Sequence, residues 1–280
     1  MKTYYKIYKE SLVSAVNHDG FEFAGYMAFL GILAVFPFMV FLFAIAGFLG
    51  NLEIGREFVI ELNHVLPQEI IQGLMPRINE ILNGPPQGLL TLAIIGTIWT
   101  ASSIFEGLRT SLNRAYRVKD APSYIFRRLM SFLEFIITTL VVITITFLLT
   151  VVPEFFKIIV KKFELMGNTE MTVEDEFRSL RLFVSGIIFF LMLISSYVLI
   201  PNANIRFRAV MPGSITVMVL WIMALSIYSY YLSSFHQMSL VYGSLAGIIA
   251  TMLFFYIMSF IYIFGAEINY FWHKYRNVSN

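Results

Sequence analysis

The chain has 280 residues, of which 58% are hydrophobic and only 14% charged, with a mean hydropathy of +0.74 and a net charge of +2. Soluble domains carry roughly a quarter charged residues, so this composition excludes an ordinary soluble domain, and the small net charge gives no reason to expect a nucleic-acid partner. The absence of cysteine excludes disulfides, thiolate metal sites and a cysteine nucleophile.

In chain order, the first element is amphipathic. Tyr5, Tyr8, Leu12 and Val16 recur at helical spacing with lysines between them, which predicts a helix on the inner leaflet. The spans follow from gaps between charges, because a bilayer core takes roughly 20 apolar residues as helix. Glu22 and Glu53 bracket 30 uncharged residues, Glu80 and Glu106 bracket 25, Glu134 and Glu154 bracket 19, and Arg181 and Arg206 bracket 24. Arg208 and Glu267 bracket 58, enough for two helices broken at the polar run from Ser233 to Gln237. The expected fold is all-α: one polytopic membrane domain over 1–280, a bundle of about six transmembrane helices at 23–50, 88–105, 135–153, 182–201, 209–232 and 240–266. A soluble helical core would need polar faces at 3.6-residue spacing, and Ile136 to Val152 and Ile248 to Phe264 have none. Ala44-Ile45-Ala46 mimics a signal cleavage site but lies too far along the chain, so the first span is read as retained.

Outside the spans, Ile54 to Leu66 and Gln68 to Leu82 are amphipathic, separated by Pro67 and closed by Gly84-Pro85-Pro86. Glu154 to Arg181 begins amphipathic and turns acidic at Glu174-Asp175-Glu176. These segments predict a cap of amphipathic helices in the outer loops. With an inside N-terminus, 13 Lys and Arg residues fall in inner segments and 7 in outer ones. That bias places both termini in the cytoplasm and the protein in a bacterial inner, or plasma, membrane.

Ionisable residues at membrane depth point to function, and here they gather at span ends on the cytoplasmic side. Ser102, Glu106, Arg109 and Asn113 form one polar stripe at i, i+4, i+7 and i+11 of a helix leaving the membrane. Glu106 and Arg109 are spaced to pair. Glu22, Arg206, Arg208 and Glu267 complete a candidate polar cluster. It reads either as a substrate vestibule or as ion-paired helix ends that fix topology. Pro37, with Gly31 before it, marks a candidate hinge or helix break in span one. Gly243 and Gly247 form a G-x-x-x-G suited to helix packing. The four histidines have no partner at metal-site spacing, and no Walker loop, dinucleotide fingerprint or G-x-S-x-G is present. The expectation is no catalytic residue, no metal and no cofactor.

Several motifs together carry a family resemblance. They are Ala101-Ser102-Ser103 through Leu112-Asn113-Arg114-Ala115-Tyr116, Tyr197 through Ile200-Pro201-Asn202, and Met211-Pro212-Gly213. Tyr242 to Gly247 and Phe264-Gly265-Ala266-Glu267-Ile268-Asn269 complete the set. In order and spacing the chain resembles the YihY / virulence factor BrkB family of bacterial inner-membrane proteins, from about residue 10 to 275. Ile200 stands where leucine is usual. The resemblance implies a membrane protein for which transport has been proposed, once labelled ribonuclease BN. The reading reached is a transporter or permease of an amphiphilic or lipid-like substrate, and not an enzyme. A non-catalytic envelope scaffold is the alternative, and ribonuclease a remote one. The bilayer is the expected partner, a homo-oligomer is compatible with the sequence, and no protein partner is indicated.

Overall fold

The computed structural model describes residues 2–49, 87–120, 122–162, 170–233 and 245–278. The expected outer helices at Ile54–Leu66 and Gln68–Leu82, and Gly243, lie outside these residues. The described part is helical: α1 (Lys2–Asn17), α2 (Gly20–Leu49), α3 (Gln87–Ala115), α4 (Tyr124–Lys162), α5 (Glu170–Leu199), a 3-10 turn (Phe207–Ala209), α6 (Met211–Ser233) and α7 (Leu245–Val278). Among the described residues there is no strand. An apolar solvent demands this economy, since a helix satisfies its own backbone hydrogen bonds.

Among the described residues three stretches are long and apolar enough to cross a membrane: Tyr124–Ile145, Met211–Tyr231 and Gly247–Arg276. Gly20–Val35 and Phe183–Leu199 are shorter apolar stretches. Large apolar side chains face outward along these helices, among them Ile125, Phe183, Ile227 and Leu253. Water would penalise such a surface and lipid does not. The chain is therefore a helical membrane protein. α2 continues as helix through Pro37, and a Cβ added at Gly31 would sit 3.7 Å from the Phe255 ring of α7.

The helices pack as an open arc. α4 lies on α3, α3 on α2 and α7, α2 on α7, α7 on α6, and α5 on α6 and, through Tyr197 and Tyr262, on α7. Between the two edges, α4 and α5, contact is at most marginal among the described residues. Both described termini lie at one end of the arc, and the core concentrates there. Leu112, Ala115, Leu193, Ile194, Tyr197, Val210, Val217, Tyr262 and Ala266 are buried together, drawn from α3, α5, α6 and α7. α6 and α7 approach each other closely. A Cβ on Gly213 would lie 2.1 Å from the Gly265 carbonyl oxygen, and one on Gly265 would lie 2.2 Å from Val217 Cγ2. Bonds to backbone carbonyls tie the same region: Tyr197 OH donates to Tyr262 O (2.6 Å) and Trp221 Nε1 to Met258 O (2.9 Å).

α1 is the helix expected over Tyr4 to Val16. It packs on α7 and α2 through Ile7, Ser11, Ser14 and Ala15, all buried. The turn into α2 is tight. Asp19 takes φ 57°, and a Cβ on Gly20 would lie 2.4 Å from the Ala15 carbonyl oxygen, so glycine is required there.

Candidate functional site

The polar stripe of α3 is buried. Ser102 is 2% exposed, Glu106 8%, Arg109 0% and Asn113 7%. Toward the start of α3 the same helical face is apolar and exposed, at Leu92, Ile95 and Trp99. Each member of the buried stripe needs a polar partner, because an unpaired polar group in such surroundings costs several kcal/mol.

Arg109 finds its partners on both edges of the arc. Nη2 donates to Glu134 Oε2 on α4 (2.5 Å), and Nη1 donates to the Ile200 carbonyl just after α5 (2.7 Å). Glu106 stands 3.9 Å from Arg109 Nε, so the expected i, i+3 pair forms but is the longer of the two. Glu106 is held instead by Arg127 (3.3 Å) and by the Ser131 hydroxyl (3.3 Å), both from α4. The group contains two carboxylates and two guanidinium ions, so it is neutral as a unit. Arg109 Nε and Arg127 Nε have no hydrogen-bond partner among the described residues. Beside this group, Arg128 donates to Ser103 Oγ (3.0 Å) and the Trp99 carbonyl (2.8 Å) while covering the Trp99 ring. Two turns of α4, from Arg127 to Glu134, are thereby pinned to α3. Ser102 donates within its own helix, to the Trp99 carbonyl.

Asn113 clamps the α5–α6 connection. Its Nδ2 donates to Asn202 Oδ1 (2.9 Å), and its Oδ1 accepts from the Asn202 N–H (2.7 Å). Asn269 does the same for α6, accepting from the Gly213 N–H (2.7 Å) and donating to the Tyr116 hydroxyl (3.4 Å). Loss of solvent holds the Tyr116 hydroxyl above the usual phenol range, against the opposing pull of that hydrogen bond.

Glu267 belongs to a second group. Its side chain is fully buried and takes a bidentate pair from Arg117: Nη1 to Oε1 at 3.0 Å and Nη2 to Oε2 at 2.8 Å. His18 Nδ1 lies 3.3 Å from Oε1, and Arg117 Nη2 also donates to Ser14 Oγ (2.7 Å). Arg117 itself takes φ 60°. Its N–H donates to Arg114 O and the Val118 N–H to Asn113 O, the pattern that ends a helix and usually places glycine at this position. A left-handed non-glycine residue costs ~1–2 kcal/mol. The bidentate pair and the Tyr270 ring, 4.2 Å from the guanidinium, offset that cost.

Of the eight residues expected to cluster, the structure joins Glu106 and Arg109 directly, places Ser102 and Asn113 on the same buried face, and puts Glu267 in the neighbouring group. Glu22, Arg206 and Arg208 are exposed and lie outside both groups. A Cβ at Gly247 would meet nothing within 4 Å among the described residues. Sequence reasoning left Arg117, Arg127, Ser131 and His18 out of the cluster, and placed Glu134 among the cytoplasmic span-end charges without including it in the cluster. Among the described residues no three His, Asp or Glu side chains gather as a metal site would require.

Known proteins place the chain. The family described as virulence factor BrkB matches residues 12–280. The ribonuclease-like protein YfkH of Bacillus subtilis is 29% identical over 267 residues, covering 95% of this chain and 94% of that protein. A UPF0761 membrane protein of Aliivibrio salmonicida is 25% identical over 88% of this chain and 76% of its own length. One from Vibrio vulnificus is 23% identical over 92% and 79% respectively. No solved structure matches. With a family match across nearly its whole length and relatives of the same extent, the chain belongs to the virulence factor BrkB family of membrane proteins.

Proposed function

We propose that this protein is a six-span permease of a bacterial inner membrane that moves an amphiphilic, lipid-like substrate through the gap between α4 and α5. The observation that carries the reading is the double engagement of Arg109. It joins an edge helix, through Glu134, to the connection that ends the other edge helix, at Ile200. Both edge helices are apolar at their surfaces, with Leu133, Ile137 and Leu140 exposed on α4 and Phe183, Ile187 and Leu191 on α5. Such surfaces suit acyl chains, and the ion-paired end suits a polar headgroup. Lys and Arg counts put that end in the cytoplasm.

We read the chain as non-enzymatic. The YfkH name says ribonuclease-like, and nuclease chemistry needs metal ligands or a free acid–base pair. The carboxylates here, Glu106, Glu134 and Glu267, are each committed to an arginine. Transport is tested in vesicles of purified protein holding fluorescent analogues of anionic, zwitterionic and single-chain phospholipids. Protein-dependent exposure of at least one analogue to an external quencher, slowed at least ~10-fold by Arg109→Lys, is expected. Protein-independent exposure of all three would overturn the reading.

A further inference from the structure

Beside the Arg117–Glu267 group, α1 and the end of α7 enclose an open groove of about 500 Å³. Its polar lining is Lys6, Lys9, Glu10, Ser14, Asn17 and His18. We propose that this groove binds the phosphate of an anionic phospholipid from the surrounding bilayer, and that α1 is the element that reads the lipid.

The three faces of α1 carry the inference. Ile7, Ser11 and Ala15 are buried against the bundle. A second face presents Tyr5, Leu12 and Val16, which are 72%, 47% and 44% exposed. Nothing in the described residues covers this face. In a membrane protein, a helix with one apolar exposed face beside a basic face lies in the headgroup layer. The third face carries Lys6 and Lys9, both exposed, and opens into the groove. Lys9 stands one helical turn from Tyr5 and from Leu12 and Val13, so a phosphate at Lys9 would leave its acyl chains running down the apolar face. Lys6 is kept in place by Glu10 at 3.8 Å and by the Tyr275 ring at 5.1 Å. Glu10 in turn accepts from Tyr275 OH (2.5 Å). Arg117 donates to Ser14 from behind the groove wall, but its charge is balanced by Glu267, so the positive sign of the groove comes from Lys6 and Lys9. A phosphate suits this set better than a carboxylate does, because its additional oxygens offer more acceptors to the lysine ammonium groups and the Asn17 amide that line the groove.

The proposal does not depend on transport. It is tested on the full-length protein by native mass spectrometry, comparing retained phosphatidylglycerol with phosphatidylcholine. Wild-type protein is expected to retain phosphatidylglycerol preferentially. The double substitution Lys6→Gln with Lys9→Gln should lower that retention at least ~10-fold. Arg206→Gln with Arg208→Gln removes equal charge from exposed positions at the same end, and should leave retention unchanged. Lys9→Gln alone spares the Lys6–Glu10–Tyr275 contacts and should lose retention several-fold, which separates lipid binding from any unseating of α1. Equal loss in the two double variants, or no loss in the lysine variants, would overturn the groove. Displacement of the lipid by glycerol phosphate at equal concentration would show a site for a free phosphate and overturn the lipid assignment.

Discussion

Arg117 sets two effects of opposite sign against each other at one residue. Arg117→Gly relieves a left-handed backbone worth ~1–2 kcal/mol but strands a fully buried Glu267 carboxylate, at a cost of ~3–5 kcal/mol. The second term is larger, so the expected net loss is roughly 1–4 kcal/mol, seen as a lower melting temperature in detergent. Adding Glu267→Gln should restore part of it; a double variant no more stable than Arg117→Gly would show that the pair does not carry the effect. The stripe from Ser102 to Asn113 was legible in the sequence because its spacing puts four polar residues on one face of a helix. Their partners were not. Arg127, Ser131 and Glu134 reach the stripe from another helix, and helical periodicity marks faces but not which faces meet. Arg117 was invisible for a different reason: an arginine in the left-handed region leaves no trace in sequence, where glycine or asparagine would have.

Among the elements, α6 and α7 are joined where a backbone meets a backbone. Gly213→Ala would push a methyl group against the Gly265 carbonyl, which cannot move without its helix. The expected cost is ~1–3 kcal/mol, with loss of the Asn269 bond to the Gly213 N–H. Gly247→Ala, on the same helix as Gly265 but with open space at its Cβ among the described residues, should be neutral or slightly stabilising, since alanine is the better helix former. Paired melting curves check the contrast, and equal effects would contradict the packing described. The helices themselves were readable as uninterrupted apolar runs. The pairing of Gly213 with Gly265 was not, although both sit in motifs that carried the family resemblance. G-x-x-x-G is a signal within one helix, whereas this contact is built from single glycines on two.

At the scale of the whole molecule, the absence of cysteine is an experimental advantage, because a single introduced cysteine is the only reactive thiol. Lys274→Cys should be labelled by an impermeant maleimide only after the inner membrane is opened, and Asn168→Cys in intact spheroplasts. The reverse pattern would invert the orientation drawn from Lys and Arg counts. All-α membrane architecture followed from composition and charge gaps. The open arc did not, because its edges are defined by which helices make little contact among the described residues. The latch across those edges is tested most directly by spin-label distances in nanodiscs, between Ile137→Cys on α4 and Leu199→Cys at the end of α5, both exposed positions. With Arg109 intact a single narrow distribution is expected. Arg109→Lys keeps the charge but loses the planar fork that reaches two partners at once, and should shift the distribution to longer, broader distances. Superimposable distributions from two folded proteins would contradict the role assigned to Arg109.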